Sequence, residues 1–278
     1  MGFAFSPNLK ANVYEAMRLS SSLGKSLFFL HVGAKSPEKQ RIFKDILNDA
    51  PMGPSSIKTI WESGDPVKVI IHQCKKNNIN LLLLGALQRE NVLKFYLGSI
   101  ARKLTRKAPC SVFLMIKPSI HHVRPNHMVV NAFKSGQTEI TIRAAFEYAK
   151  SLNIPNITLV DEINQSEVDI NVDDDLSLKE STKRKEELNK EEGARLSKIL
   201  SGVSKNLISN KNIKSQNIFG TRGYSISHYA KVVRADILVI NSVEKRFFFL
   251  SRLFQKDLDY ILSELPTDVL IIKPNTNV

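Results

Sequence analysis

The chain repeats itself at long period. Gly64 is followed by Asp65-Pro66, an amphipathic stretch and the run Leu81-Leu-Leu-Leu-Gly85; Gly220 is followed by a second amphipathic stretch and the run Ile237-Leu-Val-Ile-Asn241. In each copy the glycine stands 21 residues before the residue that closes the apolar run. The flanks agree as well. Ser111-Val-Phe-Leu-Met-Ile-Lys-Pro118 matches Asp268-Val-Leu-Ile-Ile-Lys-Pro274, and Asn12–Leu23 matches Thr141–Leu152, both with Ala and Leu spaced three to four apart. A duplicated unit constrains the fold strongly, because both copies must satisfy one pattern of burial. At 278 residues the chain has room for two such units, each large enough to hold a core without disulfides or metal.

Within the first copy the periodicity switches repeatedly between strand and helix. It predicts strands at 2–5, 26–32, 57–62, 81–85 and 111–116, with helices at 9–23, 37–49, 66–77 and 99–107. Asn8 is placed as an N-cap after Pro7, and Pro66 at a first helical position, where its missing N–H costs nothing. Alternation of this kind implies a mostly parallel sheet with helices on both faces. The second copy opens on a longer strand at 128–133. The expected boundaries are 1–118 for the first domain, 119–127 for the linker and 128–278 for the second domain, with an acidic insertion at 161–192.

Composition excludes several classes. No apolar run approaches the roughly 18 residues that span a bilayer, so the protein is expected not to cross a membrane. The N-terminal residues lack a basic region and a long apolar run, which points away from a secretory signal and toward the cytoplasm. Cys74 and Cys110 share no metal-ligand spacing and read as buried, reduced thiols. His121, His122 and His127 fall in the linker without a fourth ligand and read as solvated. Asp169, Asp173, Asp174 and Asp175 lack the central glycine and closing glutamate of a calcium loop, and read as an acidic loop before a long solvated helix.

The net charge of +13 is unevenly placed, +11 over residues 1–118 and +2 over the remainder. An anion would be drawn to the first half. No aromatic–basic alternation marks a nucleic-acid platform, so no specific nucleic-acid partner is expected.

The segment from Leu81 to Leu104 carries the chemistry. A buried strand ends at Gly85, and after a loop a helix opens at Gly98-Ser99. In an open parallel sheet, ligands sit beyond the carboxyl ends of the strands. A helix N-terminus there offers unpaired N–H groups and a positive dipole end, which suits phosphate.

On these residues the first half resembles the universal stress protein family, whose ATP-binding members carry Gly, two residues, Gly, nine residues, then Gly-Ser or Gly-Thr. Gly85 and Gly98-Ser99 keep that spacing, and Gln88 stands at the second glycine. The stretch from Ser99 to Cys110 and the Gly64-Asp65-Pro66 turn add to the likeness, which covers nearly all of residues 1–118. It implies two Rossmann-like (adenine nucleotide alpha-hydrolase-like) three-layer α/β domains, each with a mostly parallel five-stranded sheet. It also implies ATP or a related nucleotide as ligand, held by Ser6, Asn8, Val32, Gly85, Gln88, Arg89, Lys94, Gly98 and Ser99.

Two departures stand out. If the second glycine's position needs φ > 0, Gln88 is strained there. The first strand lacks the family's acidic residue, leaving Ser6 or Asn8 to hydrogen-bond a ribose, with Arg89 and Lys94 within reach of phosphate.

The second half resembles the family less closely. Asn241 replaces Gly85, no glycine follows it, and Gly220-Thr-Arg-Gly223 imitates the motif in the wrong place, ahead of a helix. Lys245–Phe254 is expected to pack as a helix on the sheet rather than to present an aromatic patch.

The resemblance implies a stress-response or regulatory protein. It further implies that Ser111–Ile116 pairs with Asp268–Ile272 in an intramolecular pseudo-dimer, with a homodimer possible. The alternative is a nucleotide-independent module acting by protein contacts, including contact with a membrane transporter. No nucleophile–base–acid set is apparent, and His31 and His72 read as satisfied buried histidines in apolar strand and helix contexts, so the chain is expected not to be an enzyme beyond slow incidental ATP hydrolysis.

Overall fold

A computed structural model of the chain describes residues 1–50, 53, 56–88, 95–168, 174–242 and 248–274. They form two compact units, Met1–Pro125 together with Thr267–Val278, and Asn126–Pro266.

The first unit runs β1 (Gly2–Phe3), α1 (Leu9–Ser22), β2 (Leu27–Val32), α2 (Pro37–Asn48), β3 (Ile57–Glu62), α3 (Pro66–Lys76) and β4 (Leu81–Gly85). A short hairpin follows, β5 (Leu87–Gln88) and β6 (Phe95–Tyr96), then α4 (Ser99–Lys107) and β7 (Ser111–Met115). Helices α2 and α3 start alike. A proline fills the first turn, and the side chain of Ser36 or Asp65 accepts the N–H of Lys39 or Lys68. Asn8 sits at the N-cap of α1 but makes no side-chain capping bond.

β1, β2 and β3 form a parallel ladder in which Gly2 faces Leu30 and Val32 faces Glu62. β4 pairs in parallel with β7. The first strand is shorter than the expected 2–5, because Ser6 N–H turns back to the Ala4 carbonyl ahead of Pro7. So short a strand ladders with β2 alone, and the five strands expected of one sheet divide into two ladders. Alternation along β2 sends Phe29 and His31 to one face, where they meet Phe3, Phe43 and Trp61; the Phe3 and Phe43 rings stack at 4.3 Å.

The second unit repeats the order with longer pieces. It runs β8 (His127–Asn131), α5 (Thr138–Ser151), β9 (Asn156–Asn164), α6 (Asp175–Ser201), α7 (Lys205–Ile208), β10 (Asn212–Gly220), α8 (Tyr224–Val232), β11 (Ile237–Asn241) and α9 (Phe248–Glu264). Its strands are parallel, in the order β10-β9-β8-β11. The charged stretch expected as a solvated helix is α6. It opens on a capping box between Asp174 and Ser177 and buries Leu188 and Leu196 on one side. Asp169 and Asp173 lie outside the described residues, as do the backbone of residues 243–247 and the side chains of 248–255.

The last strand, β12 (Asp268–Ile272), goes with the first unit. It runs antiparallel to β7, with Leu270 opposite Phe113, so the expected pairing of these two segments forms. Two bonds fix the register. Ile116 N–H donates to Asp268 Oδ1 (2.8 Å) and Lys273 N–H to Ser111 Oγ (3.1 Å). The sheet of the second unit accordingly has four strands rather than five. Among the described residues no helix is long and apolar enough to cross a membrane.

Candidate functional site

A cavity of about 330 Å³ opens where β1, β2 and β4 end in the first unit. Phe3, Leu9, Leu30, Val32, Ile70, Leu84 and Leu104 make its walls apolar. Its polar margin is Ser6, Asn12, Gly98 and Ser99. The α4 N-terminus is part of that margin. Gly98 is the N-cap residue, with extended backbone and no side-chain cap, and no acidic residue stands in the first turn. The first N–H groups of α4 therefore have no side chain of their own to satisfy them there, and a partner from outside suits them. Arg106 and Lys107 stand in the last turn, where positive charge complements the dipole.

Of the residues expected to hold a nucleotide, Ser6, Val32, Gly85, Gly98 and Ser99 all line this cavity. Asn8 does not. Gln88 belongs to the hairpin, with its backbone extended and paired to Phe95, so left-handed strain does not arise at it. Arg89 and Lys94 lie outside the described residues.

Asn12 was not among the expected residues. It lies on the buried face of α1 with Leu9, Val13 and Ala16, is only 7% exposed, and its Oδ1 has no hydrogen-bond partner. Its carboxamide covers Gly85. A Cβ at position 85 would stand 2.5 Å from Asn12 Oδ1 and 2.8 Å from Nδ2, so a larger residue there would have to displace the carboxamide. The signal was in the sequence as a polar residue on an otherwise apolar helical stripe, one turn beyond Asn8.

The histidines divide. His31 is buried with Nδ1 3.2 Å from the Phe3 carbonyl, while Nε2 has no partner; His72 is exposed on α3. His127 Nε2 lies 2.9 Å from Thr158 Oγ1, and the described residues hold no group of three or more His, Cys, Asp or Glu arranged for a metal ion. Cys74 and Cys110 are buried and free, their thiols hydrogen-bonded to one another, an arrangement that pushes Cys110 well up.

The second unit treats the same region differently. Glu162, 2% exposed, accepts the N–H of Gly223 (2.9 Å) and of Ile226 (3.0 Å), capping α8 from β9. Burial pushes its carboxyl up to about 7, although the two N–H bonds hold it back. Arg222 pairs with Asp257 at 2.7 Å and lies 3.5 Å over the Phe133 ring. Asp161, 3% exposed, faces Arg195 at 3.5 Å and shares a hydrogen bond with Glu192. Burial, then that like-charged partner, raise the Asp161 carboxyl. Asn241 Nδ2 donates to Ser135 Oγ at 2.9 Å.

Strand ends converging with a helix N-terminus on an apolar cavity are the arrangement in which folds of the open α/β class hold ligands. Residues 18–115 match the Universal stress protein family. Over the whole chain the fold is similar to a universal stress protein of Archaeoglobus fulgidus DSM 4304, at 12% identity and a TM-score of 0.62, covering 100% of this chain and 96% of that one. It is also similar to a functionally unknown protein of Pseudomonas aeruginosa PAO1, at 17% identity and a TM-score of 0.61, covering 91% and 83%. At these identities the two structures speak to the fold. No curated protein matches the chain. The family's sequence is thus legible over residues 18–115, and the order of strands and helices in that half is repeated in the second.

Proposed function

We propose that the first unit binds ATP or a related nucleotide and that the protein is a cytoplasmic stress-response regulator rather than an enzyme. The observation that carries this reading is the cavity at the ends of β1, β2 and β4, bordered by the α4 N-terminus at Gly98 and Ser99. Apolar walls suit a purine ring, and the helix N-terminus suits the phosphates. The charge of +11 over residues 1–118 raises the local concentration of anions. Ligand occupancy would act on the units' partners through protein contacts; no catalytic group is assigned, and any hydrolysis is incidental.

The test is direct. The purified full chain is titrated with ATP by calorimetry and by thermal shift, and is denatured to release any nucleotide carried through purification. One equivalent bound, with loss of binding in Gly98→Val, is the expected result. Failure of ATP, ADP, AMP and cyclic AMP to bind at millimolar concentration overturns the reading and favours a module that works by protein contacts alone.

A further inference from the structure

We propose that Asn12 supplies the sugar contact of this cavity, its Oδ1 accepting a hydrogen bond from a ribose hydroxyl of the bound nucleotide. The inference rests on the nucleotide reading and adds to it a residue and the chemical group that residue selects.

Three observations converge. First, Asn12 Oδ1 is buried and has no hydrogen-bond partner, although leaving a buried acceptor unmade is costly. Second, Asn12 lines the cavity beside Gly85, and the fit of carboxamide to glycine holds the side chain in place. Third, no carboxylate lines the cavity, and Ser6 at its margin is a hydroxyl with fewer acceptor sites than a carboxylate. The segment that follows β1, Ala4-Phe5-Ser6, carries no carboxylate, and Asn8 does not line the cavity.

The chemistry of the ligand narrows the partner. An acceptor oxygen needs a donor. Phosphate oxygens at neutral pH accept, and they match the N–H groups of α4 instead. Only ribose hydroxyls and base amines remain as donors. The α4 N-terminus and the apolar walls mark the two ends of the nucleotide, and the ribose joins them, so the sugar hydroxyls are the donors assigned to Asn12. Glycine at 85 then leaves the sugar close to the β4 backbone.

The experiment compares ATP, 2′,3′-dideoxy-ATP and inosine triphosphate on four full-length proteins by calorimetry, with thermal unfolding of each unliganded protein alongside. The four are wild type, Asn12→Ala, Asn12→Asp and Thr141→Val, the last changing the matching position of the second unit. Wild type is expected to prefer ATP over the dideoxy compound by about tenfold, the scale of one buried hydrogen bond. The preference should disappear in Asn12→Ala, survive in Asn12→Asp, and be untouched in Thr141→Val. Inosine triphosphate, which lacks the base amine, should bind wild type and Asn12→Ala with the same ratio as ATP.

The unliganded melts separate a ligand contact from a structural one. Removing an acceptor that has no partner should leave the midpoint of Asn12→Ala level or higher, whereas a structural asparagine would lower it. A preference for ATP over the dideoxy compound that persists in Asn12→Ala overturns the inference and leaves the nucleotide reading standing. Discrimination against inosine triphosphate that vanishes in Asn12→Ala reassigns the contact to the base and equally overturns it. Absence of binding by every nucleotide to wild type overturns both.

Discussion

The two units place different side chains at the same points of one fold. Strand register defines the correspondence. Val32 faces Glu62, two residues before Gly64; Glu162 faces Ile218, two residues before Gly220. Gly2 faces Leu30, and Asn131 faces Val160, the residues two before that pair. Counting on from there, Ala4 corresponds to Phe133, Ser6 to Ser135, Val32 to Glu162 and Gly85 to Asn241. In the first unit Ala4, Ser6, Val32 and Gly85 border a cavity. In the second, Phe133 lies under Arg222, Glu162 caps α8, and Ser135 and Asn241 hydrogen-bond one another. Small or apolar residues leave room for a ligand; longer polar ones find their partners inside the protein. A site can thus be closed without changing the fold, because strand order and helix positions depend on the apolar pattern and not on the residues at the strand ends.

The largest effect is expected at Gly223. Its φ is +78, and a Cβ there would stand 2.4 Å from the Asp257 carbonyl oxygen, a backbone atom that cannot rotate away. Gly223→Ala should destabilise the second unit by about 3 kcal/mol, read as a fall in melting midpoint or a drop in soluble yield. Gly85→Ala meets a side chain instead and should cost about 1–2 kcal/mol. Most of that loss should return in Gly85→Ala combined with Asn12→Ala. Without such rescue, the fit of carboxamide to glycine is wrong and the contrast between the two glycines collapses.

Next is Glu162. It satisfies two N–H groups at the start of α8, where Gly223 has no side chain to do so. α3, the matching helix, caps itself with Asp65 and needs no help from the sheet. Glu162→Ala should cost about 2–3 kcal/mol, since it orphans both donors. Asp65→Ala should cost about 1 kcal/mol, the usual worth of an exposed cap. Equal losses at the two positions would mean that the buried cap is no stronger than the exposed one.

The same carboxylate gives a pH dependence with a definite sign. The folded protein holds the Glu162 carboxyl up at about 7, above its ordinary 4.5, so the fold favours the protonated form. That contribution is fully present below about pH 4.5 and is lost as pH rises through about 7. Melts at pH 5 and pH 8 should show wild type less stable at pH 8 on this account, with Glu162→Gln showing a smaller difference. Asp161, raised for the same reason of burial and by its contact with Glu192, acts in the same direction. A wild-type curve that rises between pH 5 and 8 would show that the two N–H bonds outweigh burial at Glu162.

Most of the fold could be read from the chain because periodicity and punctuation agree there. Pro37 and Pro66 open their helices behind Ser36 and Asp65, and the leucine run of β4 ends at the glycine the repeat predicts. What escaped was decided by contacts between distant residues. The first strand stops after Phe3 because Ser6 turns back on Ala4, a local bond that apolar composition does not announce. Gln88 reads as a broken motif, yet it takes an extended place opposite Phe95, in a hairpin visible only once both strands are paired. Asn12 had a visible signal, polarity on an apolar stripe, but its meaning depends on Gly85, 73 residues away in sequence. Glu162 was hidden within a stretch set aside as an acidic insertion, although it lies in β9 and is buried.

A last substitution asks how much of the second unit's closure rests on a single residue. Asn241→Gly restores the glycine that Gly85 provides in the first unit and breaks the bond to Ser135. The loss of one half-buried hydrogen bond, together with glycine's extra freedom at a strand end, should cost about 1–1.5 kcal/mol. For a chain of this size that is a fall of roughly 2–5 °C in melting midpoint. It should not create a second nucleotide site. Phe133, Arg222 and Glu162 still occupy the neighbouring positions, and Glu162 already takes the N–H groups at the α8 N-terminus. Calorimetry should therefore give the same ATP stoichiometry for Asn241→Gly as for wild type. A rise from one equivalent to two would show that the two units differ by this residue alone, and that the charged cluster of the second unit yields to a ligand.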